Sequence, residues 1–281
     1  MEEVFSEALL AFGFTVMRYA VVAGVFFIVF YRVLQSKFAR SKIQERMAVG
    51  SDFVREVKYS LVSSFVFAMI AMLLFVPAVG QYTLVYTDVN DYPLIWIPAS
   101  VVLSLIIHDT YFYWIHRLLH LKRIFPIAHL VHHRSTNPSP WAAYSFHIAE
   151  SVLEGGILIV LAFIVPMHPL AIVGFGLSSL LINVYGHLGY EVMPRWFRHS
   201  ILFEVFNTSV HHNLHHSKFK GNYGLYFRIW DRVMETEHPD YVKEYDKIQQ
   251  RRFGHSEDAK QFERPQPSLL KEYDEAKVHD I

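Results

Sequence analysis

Cysteine is absent from all 281 residues, and so is any surplus of charge, since 26 Lys and Arg stand against 26 Asp and Glu. Without a thiol the chain has no disulfide framework, no thiolate nucleophile, no iron–sulfur cluster and no zinc finger. A formal charge of zero leaves no basic excess to condense on nucleic acid, so no nucleic-acid partner is expected. The 52% hydrophobic and 16% aromatic content excludes a disordered chain. A GxGxxG turn, a haem-attachment motif, an HExxH pair and a fixed-period repeat are also missing. Any metal must therefore be held by His or carboxylate. Histidine is what the chain has in excess: 17 in all, 14 of them between His108 and His216.

The apolar residues come in blocks, unlike the scattered pattern of a soluble core. Leu9 to Tyr31 is interrupted only by Arg18, and Leu61 to Val79 runs 19 residues without a charge. A third block opens at Pro93 and passes through Ile107 straight into HDTYFYWIHRLLH; two shorter ones, Ser151 to Val165 and Leu170 to Tyr185, flank the turn PMHP. A bilayer core is about 30 Å thick. The last two blocks, roughly 22 Å each as helices, either span with flanking residues or form a shallow re-entrant hairpin. The expected fold class is all-α, with four to five membrane spans over 9–31, 61–79, 93–115, 151–165 and 170–185 in one membrane-embedded domain over 1–281. A cytoplasmic helical region over 108–237 would carry the histidines, and a charged tail over 241–281 would have little chemistry of its own.

Seven Lys and Arg lie between Arg32 and Lys58, and none in MEEVFSE or Gly80–Tyr92. The positive-inside rule then puts the N-terminus outside and the histidines and C-terminus in the cytoplasm, at the inner membrane of a bacterium or the endoplasmic reticulum of a eukaryote. The first block lacks a basic n-region and a small-residue cleavage site, so no cleavable signal peptide is expected. Arg18 reads as a residue snorkelling to the interface in preference to a buried partner for a carboxylate.

Four histidine groups stand out. His108, His116 and His120, with Asp109, lie at the inner end of the third block; His129, His132 and His133 form HxxHH; His187 follows the fifth block; His212, His215 and His216 form a second HxxHH behind His211. At about 100° per residue, Asp109, His116 and His120 share a narrow arc of a helix, with His108 to one side. Residues at i and i+3 or i+4 share a face, so each HxxHH can aim two or three imidazoles at one point. One such pair arises by chance, and a lone His at a membrane boundary is ordinarily an interfacial side chain. Two copies of HxxHH plus HRxxH on one predicted membrane face point instead to a metal, since neutral imidazole is a ligand for iron, zinc, copper and nickel. A pH-sensing cluster would not need the repeated spacing. Ten ligands, namely His108, His116, His120, His129, His132, His133, His187, His212, His215 and His216, exceed the needs of one ion, and two ions are the simplest solution.

In the order YFYWIHRLLH, HLVHH, YSFHIAE, YGHLGYE and HHNLHHSKFKGNYGLYFRIWDR, over roughly Pro93 to Arg232, the sequence resembles the fatty acid hydroxylase/sterol desaturase superfamily of integral-membrane di-iron enzymes. The resemblance implies membrane helices capped by a cytoplasmic helical domain that holds two irons in an all-histidine cage. By motif position it makes His116, His120, His129, His132, His133, His187, His212, His215 and His216 the catalytic ligands, while at His108 the family often has another residue and His211 falls outside the motif. The family's WDRxFGT ending reads WDRVMET here, with Met234 and Glu235 where Phe and Gly are usual. His147 and Glu150, in SFHIAE, resemble a segment of the sterol-desaturase branch and read as residues supporting the ligands or facing substrate.

The reaction that follows is O2-dependent hydroxylation, or desaturation, of an unactivated C–H bond in a membrane lipid such as a fatty acyl, sterol or isoprenoid chain. Two iron ions, with zinc as the substitute, and O2 are the cofactors. Two electrons must come from a NAD(P)H-linked donor through a separate protein of cytochrome b5, ferredoxin or reductase type. Lys122, Arg123, Arg195 and Arg198 are the basic residues guessed for its docking. Ligating imidazoles need acceptors for their other N–H, and Asp109, Glu150, Glu191 and Asp231 are the nearby carboxylates; helix capping or solvation accounts for them equally well. Tyr111, Tyr113, Trp114, Tyr144 and Tyr185 either line an apolar slot or serve as core and interfacial belt. The rivals are a zinc-dependent membrane hydrolase, which would need a carboxylate base as in HExxH; a catalytically inactive member acting in lipid binding, which would have lost ligands; and a metal transporter, whose site would lie near the bilayer midplane.

Overall fold

A computed structural model of the chain describes residues 2–46 and 48–254, which among themselves form helices, turns and isolated bridges but no strand. α1 (Glu2–Ile28) runs into a π-helical turn over Val29–Val33, and is followed by α2 (Gly50–Leu73), the single turn α3 (Pro77–Gly80) and α4 (Trp96–Leu119). α5 (Leu130–His133) precedes α6 (Ile148–Ile164) and α7 (Pro169–Gly186). The short helices α8 (Ile201–Val205), α9 (Ser209–Lys218), α10 (Ile229–Val233) and α11 (Tyr241–Phe253) complete the described chain.

Among the described residues three helical segments are long and apolar enough to cross a membrane: Leu9–Val33, Gly50–Leu73 and Pro169–Gly186. α4 has the length but carries His108, Asp109, His116 and Arg117 in its inner half, and α6 stops at 17 residues. α2 starts well before the expected boundary at 61, because the Asp52 carboxylate accepts the Val49 N–H at 3.1 Å and begins the helix at Gly50. It ends at Leu73, short of 79. Pro77 forces Val76 into an extended conformation, with ψ 120°.

α1 packs on α2, α2 on α6, and α4 on α7. Tyr19 and Ala23 of α1 meet Tyr144, Phe146, Leu180 and Val184 in a core between α1, α7 and the 3-10 segment Pro140–Tyr144. Tyr19 stacks on Tyr144 and donates its hydroxyl to the Trp141 carbonyl at 2.7 Å, tying the membrane helices to that segment. The Arg18 guanidinium lies against Gly176 of α7 and reaches the Tyr144 hydroxyl at 3.4 Å, and among the described residues no carboxylate lies within 4 Å of it.

Beyond the inner ends of α4 and α7 the short helices form a second layer, in which α9 packs on α7 and α11. The start of the expected tail belongs to it. Tyr241, Tyr245 and Ile248 recur at helical spacing on α11 and bury against Phe197, Phe203, Val210 and Leu214. Tail residues 255–281 lie outside the described chain.

Candidate metal centre

Nine histidines come together in two adjoining groups: His116 on α4, His132 and His133 on α5, His212, His215 and His216 on α9, and His120, His129 and His187 just outside the ends of α4, α5 and α7. His116, His120, His129, His133 and His215 form one, and His132, His187, His212 and His216 the other, each with its ring nitrogens within 4.8 Å of one another. The groups share a wall, His133 and His216 lying with ring centroids 4.9 Å apart. Neither HxxHH aims all its imidazoles at one point. In each motif the pair at i and i+4 enters one group while the residue between crosses to the other, so His129 and His133 are joined by His215, and His212 and His216 by His132. A strict helical stripe would send all three one way; the roughly 100° per residue that separates adjacent positions sends neighbours to opposite centres.

Tautomers follow from the outer hydrogen bonds. The Nδ1 atoms of His116, His187 and His215 lie 2.8, 2.8 and 2.7 Å from the carbonyls of Tyr223, Asn183 and Gly221, and a carbonyl can only accept. Each Nδ1 therefore bears the proton, and each Nε2 is left a lone pair. Yet the Nε2 atoms point at one another: His116 to His129 at 3.0 Å, His212 to His187 at 3.0 Å, His216 to His187 at 3.2 Å and His132 to His187 at 3.4 Å. Between His132 and His187, where carbonyls take both Nδ1 protons, two lone pairs face each other and repel unless a cation lies between them. Two imidazole nitrogens about 2.1 Å from one ion sit about 3.0 Å apart at a right angle and about 3.4 Å apart at the tetrahedral angle. The spacing fits two metal ions, and the donor set is wholly nitrogen.

Burial keeps these rings neutral, as ligands must be. It lowers His187 and His215 to about 4 and holds His129, His132, His133, His212 and His216 well below the ordinary imidazole range, with neighbouring imidazoles adding to the effect. Glu150 is the carboxylate that touches the cage, its Oε1 lying 2.7 Å from Nδ1 of His129. The aromatic rings against the imidazoles of the two groups include Phe112, Phe125, Phe146, Phe219 and Tyr223, while Tyr113 and Tyr144 are buried in the core.

The remaining expected residues sit elsewhere. His108 is outside both groups: eight residues before His116, it lies about 12 Å back along α4, where its Nδ1 meets the Tyr226 hydroxyl at 2.8 Å. His147 caps α6, its Nδ1 accepting the Ala149 N–H at 3.2 Å. Asp109 accepts the backbone N–H groups of Tyr226 and Phe227, not an imidazole. Glu191 accepts from Met193 and, at 3.4 Å, from Val210, placing its charge at the N-terminus of the histidine-bearing α9. Asp231 accepts the N–H groups of Tyr223 and Gly224 and the Thr236 hydroxyl, and so shapes the GNYG turn whose carbonyls hold His116 and His215. His211 stays outside both groups, 3.9 Å from Asp231. The four backbone acceptors, Ser145 being the last at 3.3 Å from His132, had no signal in the sequence, because every residue carries the same carbonyl.

Residues 101–236 match the family model described as fatty acid hydroxylase. Over that region the chain is similar to the fatty acid hydroxylase and sterol desaturase superfamily. Among its relatives, the lathosterol oxidase of Rattus norvegicus is 33% identical over 184 residues, covering 64% of this chain and 59% of that protein. A Delta(7)-sterol 5(6)-desaturase of Gibberella zeae is 29% identical over 176 residues, covering 61% and 53%. Methylsterol monooxygenase 1 of Danio rerio is 33% identical over 132 residues, covering 47% and 44%. The matches thus span about three fifths or less of these relatives' lengths, and no solved structure matches the chain. In WDRVMET, Glu235, at the position where the resemblance implies Gly, adopts a left-handed φ of 54° that glycine takes without strain.

Proposed function

We propose that the protein is an O2-dependent di-iron oxidoreductase that hydroxylates or desaturates an unactivated C–H bond of a membrane lipid, with His116, His120, His129, His133 and His215 holding one ion and His132, His187, His212 and His216 the other. The observation that carries this reading is the convergence of nine buried imidazoles into two groups, with the proton-free Nε2 atoms of His132 and His187 facing each other at 3.4 Å. Iron, when bound, supplies the one-electron and O2 chemistry. The chain does the rest: backbone carbonyls and Glu150 orient the rings, and Phe112, Phe125 and Phe146 keep water from them. α4 and α7 reach from the apolar bundle to the cage, so a lipid lying along them presents its C–H bond to it. The relatives' names point to a sterol as substrate. α4 and α6 join the three apolar segments as further spans, the short-helix layer lies in the cytoplasm, and a separate NAD(P)H-linked protein delivers two electrons there. Arg198 is engaged by Asp246 at 2.6 Å, which leaves Lys122, Arg123 and Arg195 as the freer cations for that docking.

Metal analysis of detergent-purified protein tests the centre. Two iron per chain are expected, His132→Ala or His215→Ala should abolish turnover and lower the metal content, and His108→Ala should leave the content unchanged. Two zinc that support turnover without O2 would defeat the proposal in favour of a hydrolase. Lipid profiling of cells with and without the gene names the substrate through a gain of one oxygen or a loss of two hydrogens.

A further inference from the structure

Where the first apolar segment ends, a cavity of about 300 Å³ opens between Gln35, Ala39, Lys42, Glu45, Tyr190 and Arg251. Lys42 is 8% exposed, yet no carboxylate among the described residues lies within 4 Å of its ammonium. The ammonium has three N–H donors. One makes a long 3.5 Å contact with the Gly189 carbonyl, and the rings of Tyr31 and Tyr190 flank it at 5.4 and 4.8 Å. This close approach requires glycine at 189, where φ is 72° and a Cβ would lie 2.7 Å from the Tyr31 hydroxyl and 3.2 Å from the Lys42 nitrogen. Two donors remain for the cavity. Across it, Arg251 is pinned by its bonds to the Arg40 and Lys42 carbonyls, a fixed second cation. Glu45 cancels one of the two charges. A cavity of net charge plus one, at the end of a membrane-crossing helix, suits a monoanion that arrives with a lipid.

We propose that this cavity binds the phosphodiester headgroup of a glycerophospholipid between Lys42 and Arg251. The assignment rests on the reading of α1 as a membrane span, and is independent of the oxidation chemistry. Burial lowers the Lys42 ammonium to about 8, and a bound phosphodiester favours its charged form again. The site is joined to the metal centre through the segment after His187: Tyr31 donates to the Leu188 carbonyl at 2.9 Å, Ile43 N–H to Gly189 at 3.1 Å, and Glu191 N–H to Ser41 at 2.8 Å. The lipid therefore braces the loop that carries His187.

The full chain, delipidated in detergent, is titrated with phosphatidylglycerol, with diacylglycerol and with inorganic phosphate, and binding is read by native mass spectrometry and thermal shift. Phosphatidylglycerol is expected to bind and stabilise, diacylglycerol not to, and inorganic phosphate not to displace the lipid. Loss of one charge-assisted contact in Lys42→Met weakens phosphatidylglycerol about ten- to a hundredfold, whereas Lys42→Arg stays close to the parent. If Lys42→Met does not fold by circular dichroism, Arg251→Gln must show the same loss. A folded Lys42→Met that binds the lipid like the parent overturns the proposal, and displacement by inorganic phosphate assigns the cavity to a free anion. Binding that appears only after deletion of 255–281 assigns it to the chain's own tail. No arm depends on turnover, so failure here leaves the di-iron reading standing, and an inactive metal centre leaves this one standing.

Discussion

Glu150 is where one side chain has the largest leverage on the cage. Its carboxylate takes the second nitrogen of His129, and acceptors of this kind set both the orientation and the basicity of a ligating ring. Glu150→Gln is expected to lower metal affinity about 10- to 100-fold, measured by competition with a chelator, while helix content stays unchanged. Glu235 offers a prediction of the opposite sign. A residue with a Cβ is strained at φ 54°, so Glu235→Gly should raise thermal stability by about 0.5–1 kcal/mol, seen as a higher Tm; a lower Tm would show that the side chain has a role there. His108 illustrates the limit of residue-level reading. Its company of histidines marked it as a ligand, but helical rise carries it too far from the others.

Between residue and whole, the elements are fastened by carboxylates that never touch a ligand. Asp109 holds the 226–227 backbone to α4, and Asp231 holds the turn at 223–224. Asp231→Ala leaves those N–H groups buried and unsatisfied, at a cost of at least about 2 kcal/mol. It should also lower metal content, because the carbonyls of Tyr223 and Gly221 no longer hold His116 and His215; retention of two metals with an unchanged Tm would show that the turn stands without it. The sequence made the type of these elements legible. Long apolar blocks and HxxHH spacings read as helices, and they are. Boundaries are less so, as at α2, and α11 is hidden within a charged tail because its apolar residues are three aromatic or aliphatic positions in a charged background, a pattern whose partner, the Phe197 and Phe203 core, comes from elsewhere in the chain.

For the molecule as a whole the buried imidazoles set an acid limit. Unfolded His titrates near about 6.5, while in the fold His187 and His215 have been lowered by burial to about 4. Between those values the unfolded chain binds protons that the folded one refuses. Stability is therefore intact above about pH 6.5 and falls as pH drops toward 4, by roughly 1.4 kcal/mol per pH unit for each ring that stays neutral. Metal release runs in the same direction, since protons compete for the same lone pairs. Thermal melts from pH 7.5 downward, with and without chelator, should show a flat region followed by a steep fall; a flat profile down to pH 4 would mean the rings are solvated.

What could be read from the linear chain was chemistry: no thiol, an excess of imidazole, apolar blocks long enough for a bilayer, and spacings that put histidines on helical faces. Those properties are local, fixed by residue identity and the pitch of one helix. The division of nine rings into five and four, the exclusion of His108, the use of backbone carbonyls as acceptors at His116, His132, His187 and His215 and the placing of Arg18 against α7 arose only in three dimensions. Each depends on where separate helices stand relative to one another, which is decided by packing among residues far apart in the chain.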